Sequence, residues 1–313
     1  MGGVRALDYA VARVAVAVTL FALGFYTGRS KEAKRLSKAI SRLLLWFSIP
    51  AIIFYKVYTV DPATAAKYSM LVVISAVGSI ITAAVGIPRL LRGLPVSSIG
   101  AAVLAAGIHN SAFLPVPLML ILYGDAGPAA LYSAIINMVI VLVVPVIVGV
   151  YSETAGKGNI ARRVTSSIAR FPPFYALVAG AMLRTLLADN NTLVSVLGHV
   201  GRVAAESTLT SFYLVGAVLA TAGLAVDRPT LVIAVWRLLV EPLLAIAASI
   251  VLGLEGIWLA GALIEACMPP ATMNIVFAIT YGLDEKLVAR AIGFTMPLSI
   301  VVSLLIRLFV VAP

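Results

Sequence analysis

The chain has 313 residues, of which 62% are hydrophobic and only 12% charged, with a formal net charge of +10. A soluble domain is about half apolar and a quarter charged, so a soluble enzyme, a disordered chain and a nucleic-acid binder are excluded. The single cysteine, Cys267, allows neither an internal disulfide nor a cysteine metal cluster.

A membrane-spanning helix takes about 20 mainly apolar residues, and the chain divides into ten such runs. In order they are Val14–Gly28, Leu43–Tyr55, Tyr68–Pro88, Val96–Tyr123, Ala126–Tyr151, Phe171–Leu183, Ser207–Val226, Thr230–Leu254, Gly256–Tyr281 and Leu287–Val311. The first could be taken for a signal peptide, since Arg5 and Arg13 precede it. It runs straight into the basic loop Gly28–Arg35 with no soluble segment after it, and so reads as a retained helix. Of the 23 lysines and arginines, 15 fall in the loops after the odd-numbered spans and seven on the other side, with Arg237 inside the eighth. The richer side is expected to be cytoplasmic, with both termini outside an integral cell membrane protein.

The fourth and ninth spans are interrupted. The fourth contains His109-Asn110-Ser111 followed by Pro115 and Pro117; the ninth contains Glu265, then Pro269-Pro270, Thr272 and Asn274. Paired prolines remove backbone donors and clash with preceding carbonyls, so neither span is expected to be one continuous helix. Broken backbone at membrane depth is tolerated where it is buried in protein or lines a polar cavity. Two breaks therefore point to one shared hydrated site, with half-helix dipoles suited to anions. Kinked but merely packed helices are the plainer alternative.

Each break is followed by Tyr-Gly, at Tyr123-Gly124 and Tyr281-Gly282, 158 residues apart, and then by one more span. Five spans per half is an odd number, so the second half enters the membrane upside down. Inverted repeats with matching interrupted helices mark a secondary transporter with its site near the bilayer midplane.

The stretch from Asn110 to Leu118, the run Met268-Pro269-Pro270-Ala271 with Asn274, Tyr281-Gly282 and Asp284, and Pro50-Ala51 and Arg237-Leu238 resemble the auxin efflux carrier family. That family includes plant auxin exporters and bacterial malate and malonate permeases. The resemblance implies an all-α membrane protein of ten helices in two inverted five-helix repeats with broken, crossing helices four and nine. This is a fold like that of sodium/proton antiporters and bile-acid symporters. Helices 1, 2, 6 and 7 would form a scaffold, often dimeric, and helices 3–5 and 8–10 a transport unit moving like an elevator. The repeats would be residues 1–151 and 173–313, joined by a cytoplasmic loop, 152–172. Pro115 stands where the family has glycine, helix seven lacks the family's proline near Leu209, and Ser152–Arg170 is short beside the long loop of many plant exporters.

The expected function is export of a small organic anion, a carboxylate of auxin-like or dicarboxylate type. A sodium-coupled symporter of bile-acid type is the rival, and an intramembrane enzyme or receptor a more distant one. Candidate substrate contacts are Asn110, Ser111, Pro117, Asn137, Pro269, Thr272 and Asn274, with Pro115, Pro117, Pro269 and Pro270 shaping the crossing. The alternative for Asn110 and Asn274 is that they cap the half-helices. Glu265, His109, Arg237 and Glu241 are candidates for proton or sodium coupling. Arg237 and Glu241 are four apart on one helix and could equally neutralise each other. Glu265 could lie near the interface, His109 could be hydrogen-bonded packing, and Glu206 reads as interfacial at the start of helix seven. No cofactor, metal, nucleic acid or nucleotide-binding loop is expected; the partners are the substrate anion, the bilayer and a second copy of the chain.

Overall fold

The computed structural model describes residues 2–151, 172–187, 190–222 and 226–310. Within them the chain is helical, and the only β pairing is an isolated bridge between His109 and Pro270. The first half holds α1 (Gly2–Thr27), α2 (Lys31–Leu43), a π-helical turn (Leu44–Ser48), α3 (Ile49–Thr59), α4 (Pro62–Leu90), α5 (Val96–Gly107), α6 (Pro115–Tyr123) and α7 (Gly127–Tyr151). The second holds α8 (Pro172–Leu187), α9 (Asn191–Ser207), a 3-10 turn (Thr208–Thr210), α10 (Ser211–Ala222), α11 (Arg228–Val235), a π-helical turn (Trp236–Val240), α12 (Glu241–Leu252), α13 (Gly256–Ala266), α14 (Met273–Tyr281) and α15 (Glu285–Phe309).

Seven helical stretches among the described residues are long and apolar enough to cross a membrane: 9–27, 31–59, 62–90, 127–151, 191–222, 228–252 and 285–309. Val96–Gly107, Pro172–Leu187 and Gly256–Ala266 are shorter apolar helices. The outer faces agree with a lipid surrounding: α1 exposes Val11, Val14, Val18, Leu23 and Phe25, which would be costly in water.

Two boundaries differ from those drawn from the apolar runs. The second span begins at Lys31, because α2 is an amphipathic segment whose polar face hides it from a hydropathy reading. The seventh begins at Asn191, so Glu206 does not open it but lies next to the end of α9. Arg202 and Glu206 interrupt that apolar run, and Glu206 is paired with Arg13 of α1, Nη2 to Oε1 at 2.5 Å. The stretch 152–172 lies outside the described residues except for Pro172, which opens α8.

Local chemistry explains the helix ends. Ser30, Asp61, Asn190, Asp227 and Asp284 each accept a backbone N–H three residues on, the usual N-cap arrangement. The two Tyr-Gly pairs are left-handed C-caps, with φ of 74° at Gly124 and 68° at Gly282. A Cβ at Gly124 would meet nothing within 4 Å, so glycine is needed there for its backbone conformation rather than for room.

The helices pack in two neighbourhoods that also meet each other, α3 against α7 and α10 against α15. α1 lies against α10, and α3 against α8 and α9. Gly24 and Gly216 bring the α1 and α10 backbones together, since a Cβ at either would strike the facing helix's carbonyl oxygen, at Tyr213 and Phe21 respectively. Elsewhere α4 packs on α5, α7 and α12, α13 on α7 and α12, and α15 on α5, α11 and α14.

Candidate functional site

The breaks meet. After α5 the chain is extended at Ile108, and after α13 the segment from Cys267 to Thr272 leaves helical form. The two extended pieces pair in antiparallel fashion: the Asn110 N–H donates to the Pro269 carbonyl at 2.8 Å and the Ala271 N–H to the Ile108 carbonyl at 3.0 Å. Backbone groups that two broken helices leave open are thus satisfied by each other. Pro115 and Pro117 lie in the first turn of α6, where no donor is required. Pro269 and Pro270 lie in the extended piece before α14, buried like the first pair. The C-terminal ends of α5 and α13 and the N-terminal ends of α6 and α14 therefore converge on one crossing.

Asn274, fully buried, crosses from α14 and donates to the carbonyls of Leu104 at 3.2 Å and Ile108 at 2.8 Å. Asn110 uses Oδ1 locally, accepting from Phe113 N–H at 3.1 Å. Ser111 accepts from Asn137 Nδ2 at 3.3 Å, and the same amide donates to the Ser133 carbonyl at 2.7 Å.

Behind the crossing lies a cluster of charged groups, all at 0–1% exposure. Arg237 sits in the π-helical turn of α11–α12. Its Nη1 donates to Glu241 Oε2 at 2.5 Å and to the Ala106 carbonyl at 3.1 Å. Nη2 reaches the Ala266 carbonyl at 2.9 Å and Nε the Met268 carbonyl at 3.2 Å. One guanidinium thus holds carbonyls at the C-terminal ends of both α5 and α13, where the helix dipoles are negative. Tyr132 Oη donates to Glu241 Oε1 at 2.8 Å and lies 3.2 Å from Ser75 Oγ. His109 stands between two carboxylates, Nδ1 at 3.3 Å from Glu241 Oε1 and Nε2 at 3.4 Å from Glu265 Oε2. Neither approach is aligned as a hydrogen bond, and both Glu265 oxygens are without a hydrogen-bond partner among the described residues. Glu265 is 0% exposed, enclosed by protein on every side.

In front of the crossing a cavity of about 420 Å³ opens between α1–α2, α10 and the broken helices. Asn110, Phe113 and Thr272 line its inner end, and Lys34, Ser37, Lys38 and Ser41 of α2 line it towards the basic loop. Among the described residues neither lysine makes an ion pair. Of the polar candidates from the sequence, Asn110 and Thr272 reach this cavity, whereas Asn274, His109, Arg237, Glu241 and Glu265 lie in the protein behind it. The α2 lysines were missed as site residues, since the basic loop carried only an orientation signal; the amphipathic character of Lys31–Leu43 could have marked them.

At the opposite end the two neighbourhoods are tied together. Lys56 Nζ of α3 lies 2.6 Å from Asp125 Oδ2 and 5.0 Å from the centre of the Trp258 ring of α13. Arg13 Nη1 donates to the Leu120 carbonyl of α6 at 3.3 Å.

The model of the membrane transport protein family matches residues 9–307. Two archaeal relatives carry no assigned substrate. An uncharacterized transporter of Methanothermobacter thermautotrophicus is 26% identical over 85% of this chain and 86% of its own length. Another, of Methanocaldococcus jannaschii, is 23% identical over 92% and 95% respectively. Crossed broken helices, a lipid-facing exterior and a match across nearly the whole sequence have one meaning: the chain is a membrane transporter of this family, the auxin efflux carrier family that its motifs resemble.

Proposed function

We propose that the protein exports a small organic anion by an elevator-type alternating-access movement. The observation that carries this reading is the cavity, which runs from Lys34 and Lys38 to Asn110 and Thr272 at the crossing. Its volume of about 420 Å³ suits a small ligand, the lysines favour negative charge, and the half-helix N-termini of α6 and α14 favour it again.

In this reading the chain crosses the bilayer ten times, in two inverted repeats spanning 1–151 and 173–313. The α1–α3 and α8–α10 segments form the scaffold, and α4–α7 with α11–α15 the transport unit. The packing of α1 on α10 and of α3 on α8 and α9 supports that partition. The excess of lysine and arginine beside the cavity's mouth supports a cytoplasmic opening and outward termini. The molecule is then inward-open, with Lys56–Asp125 and Arg13–Leu120 as ties between scaffold and transport unit on the outer side. Asn110 and Thr272 contact the substrate, and Asn274 holds the crossing.

Purified protein in liposomes, given labelled monocarboxylates, dicarboxylates and indole acids with and without sodium, tests the reading. Sodium-independent flux of at least one carboxylate, reduced by Asn110→Ala, is expected. No flux of any member, or flux that requires sodium, overturns it.

A further inference from the structure

The charged cluster behind the crossing is one proton short of a stable charge balance. Arg237 and Glu241 neutralise each other at 2.5 Å, and every remaining hydrogen bond given to Arg237 goes to a backbone carbonyl. Both Glu241 oxygens are occupied, by Arg237 and Tyr132. That leaves Glu265 and His109. Glu265 is 0% exposed and neither of its oxygens has a hydrogen-bond partner among the described residues, while His109 Nε2 lies 3.4 Å away. Without a proton on one of the two, the cluster would hold an uncompensated buried carboxylate, a state that loss of hydration strongly disfavours. With one proton, on either group, it is neutral.

The surroundings leave the two groups to each other. From α4 come Ser75 and Tyr68, the latter donating to the Pro128 carbonyl at 3.0 Å. Tyr132 of α7 has its ring 5.6 Å from that of His109, and Cys267 follows on the same broken helix as Glu265. On α15, which packs against α13, Arg290 pairs with Asp227 at 3.0 Å and Arg307 donates to the Leu122 carbonyl at 2.8 Å. Among the described residues no group of three His, Cys, Asp or Glu side chains is arranged to hold a metal ion.

We propose that His109 and Glu265 form a proton-binding site that loads and releases one proton. His109 is joined in sequence to Asn110, which lines the cavity, so the site lies just behind the anion's wall. An anion at Asn110 is repelled by the cluster without its proton and not by the cluster with it. Proton and anion therefore favour each other's binding by the same factor, and the site couples the two. The site stands on the cluster's geometry alone; its coupling to the anion rests on the function proposed above.

The test reads the groups themselves. The chain has two histidines, so His199→Gln leaves His109 as the only ring. In lipid-reconstituted protein, ¹⁵N histidine NMR and infrared difference spectra are recorded across pH. The expected result is a His109 transition accompanied by a protonated-carboxyl band. Glu265→Gln removes the band and moves the transition by about one pH unit or more, and Glu265→Asp restores a carboxyl band. A ring signal invariant with pH, a transition that Glu265→Gln leaves in place, or a response to sodium at fixed pH instead of to protons would each overturn the site. These readouts need no substrate: a normal titration without carboxylate flux would strike the transport reading and leave the proton site standing.

Discussion

Asn274 holds Ile108 from across the crossing, its amide nitrogen 2.8 Å from a carbonyl oxygen that also accepts the Ala271 N–H at 3.0 Å. One oxygen thus receives a side chain and a backbone donor from the opposing broken helix, and Asn274 adds a second bond to the Leu104 carbonyl. Asn274→Ala removes both side-chain bonds at a fully buried position. A loss of about 1–3 kcal/mol is expected, seen as a lower Tm in detergent, together with reduced flux. An unchanged Tm would show that the crossing does not depend on this residue.

The two cavity lysines act differently. Lys34 and Lys38 are exposed at the entrance, and among the described residues neither makes an ion pair. Replacing both with Gln is expected to leave Tm unaltered and to raise KM for the carboxylate by up to about 30-fold, at about 1 kcal/mol per charge in a water-filled mouth. Flux measured at low and high salt checks the cause, since added salt screens the wild-type lysines and narrows the difference between the two proteins.

On the far side, Asp125→Asn weakens the tie to Lys56 and is expected to shift the protein away from the inward-open form. The single cysteine, Cys267, is buried, so a reporter cysteine at Ser37 can be read against a Cys267→Ser background. Slower thiol labelling of that reporter in the Asp125→Asn variant is the expected outcome. Identical rates would mean the ion pair is a surface contact with no bearing on the equilibrium.

Asp227 carries a pH-dependent contribution outside the membrane segments. Partial burial works against its charge, but the Thr230 hydrogen bonding and the Arg290 guanidinium outweigh it and hold the carboxyl below its ordinary value. A carboxylate held low in the folded state stabilises above its unfolded value, and that contribution is lost as pH falls through the folded one. Asp227→Asn keeps a cap for the Thr230 N–H and loses only the ion pair with Arg290, a partly exposed one expected to contribute less than about 1 kcal/mol. The Tm difference between wild type and variant is therefore expected to be small at neutral pH and to vanish in acid; a difference that persists in acid would contradict this.

What the sequence made legible follows from which interactions are local. The breaks could be read because proline acts on its own backbone, and the Tyr-Gly ends because a left-handed cap needs only the next residue. The Arg237–Glu241 pair was readable as a four-residue spacing, and it persists across a π-helical turn. His109 between Glu241 and Glu265 was not readable, because the extended piece after α5 meets the helices α12 and α13 of the other half of the chain. The same holds for the carbonyls that Arg237 gathers. Asn110 and Asn274 look equivalent in the two halves, yet one lines the cavity and the other is enclosed. Which face of a half-helix meets water is decided by the scaffold packed against it. The span limits at Lys31 and Asn191 were hidden for a related reason, since charged residues in both segments find partners or open space that a hydropathy reading does not see.

The strongest demand on the fold falls on Arg237, whose charge answers Glu241 and the ends of two half-helices at once. Arg237→Met leaves Glu241 buried with only Tyr132 as donor and frees the carbonyls of Ala106, Ala266 and Met268. The expected cost is about 3–5 kcal/mol, large enough to lower expression as well as Tm. Glu241→Gln alone leaves the guanidinium's charge unmatched and is also expected to destabilise. The double variant removes both charges, so its loss should fall short of the two single losses added together, by an amount in the range of about 0.5–3 kcal/mol found for coupled neighbours. A thermal double-mutant cycle in detergent measures this. Strict additivity would mean that Arg237 acts through the half-helix carbonyls alone and that its pairing with Glu241 contributes nothing to the fold.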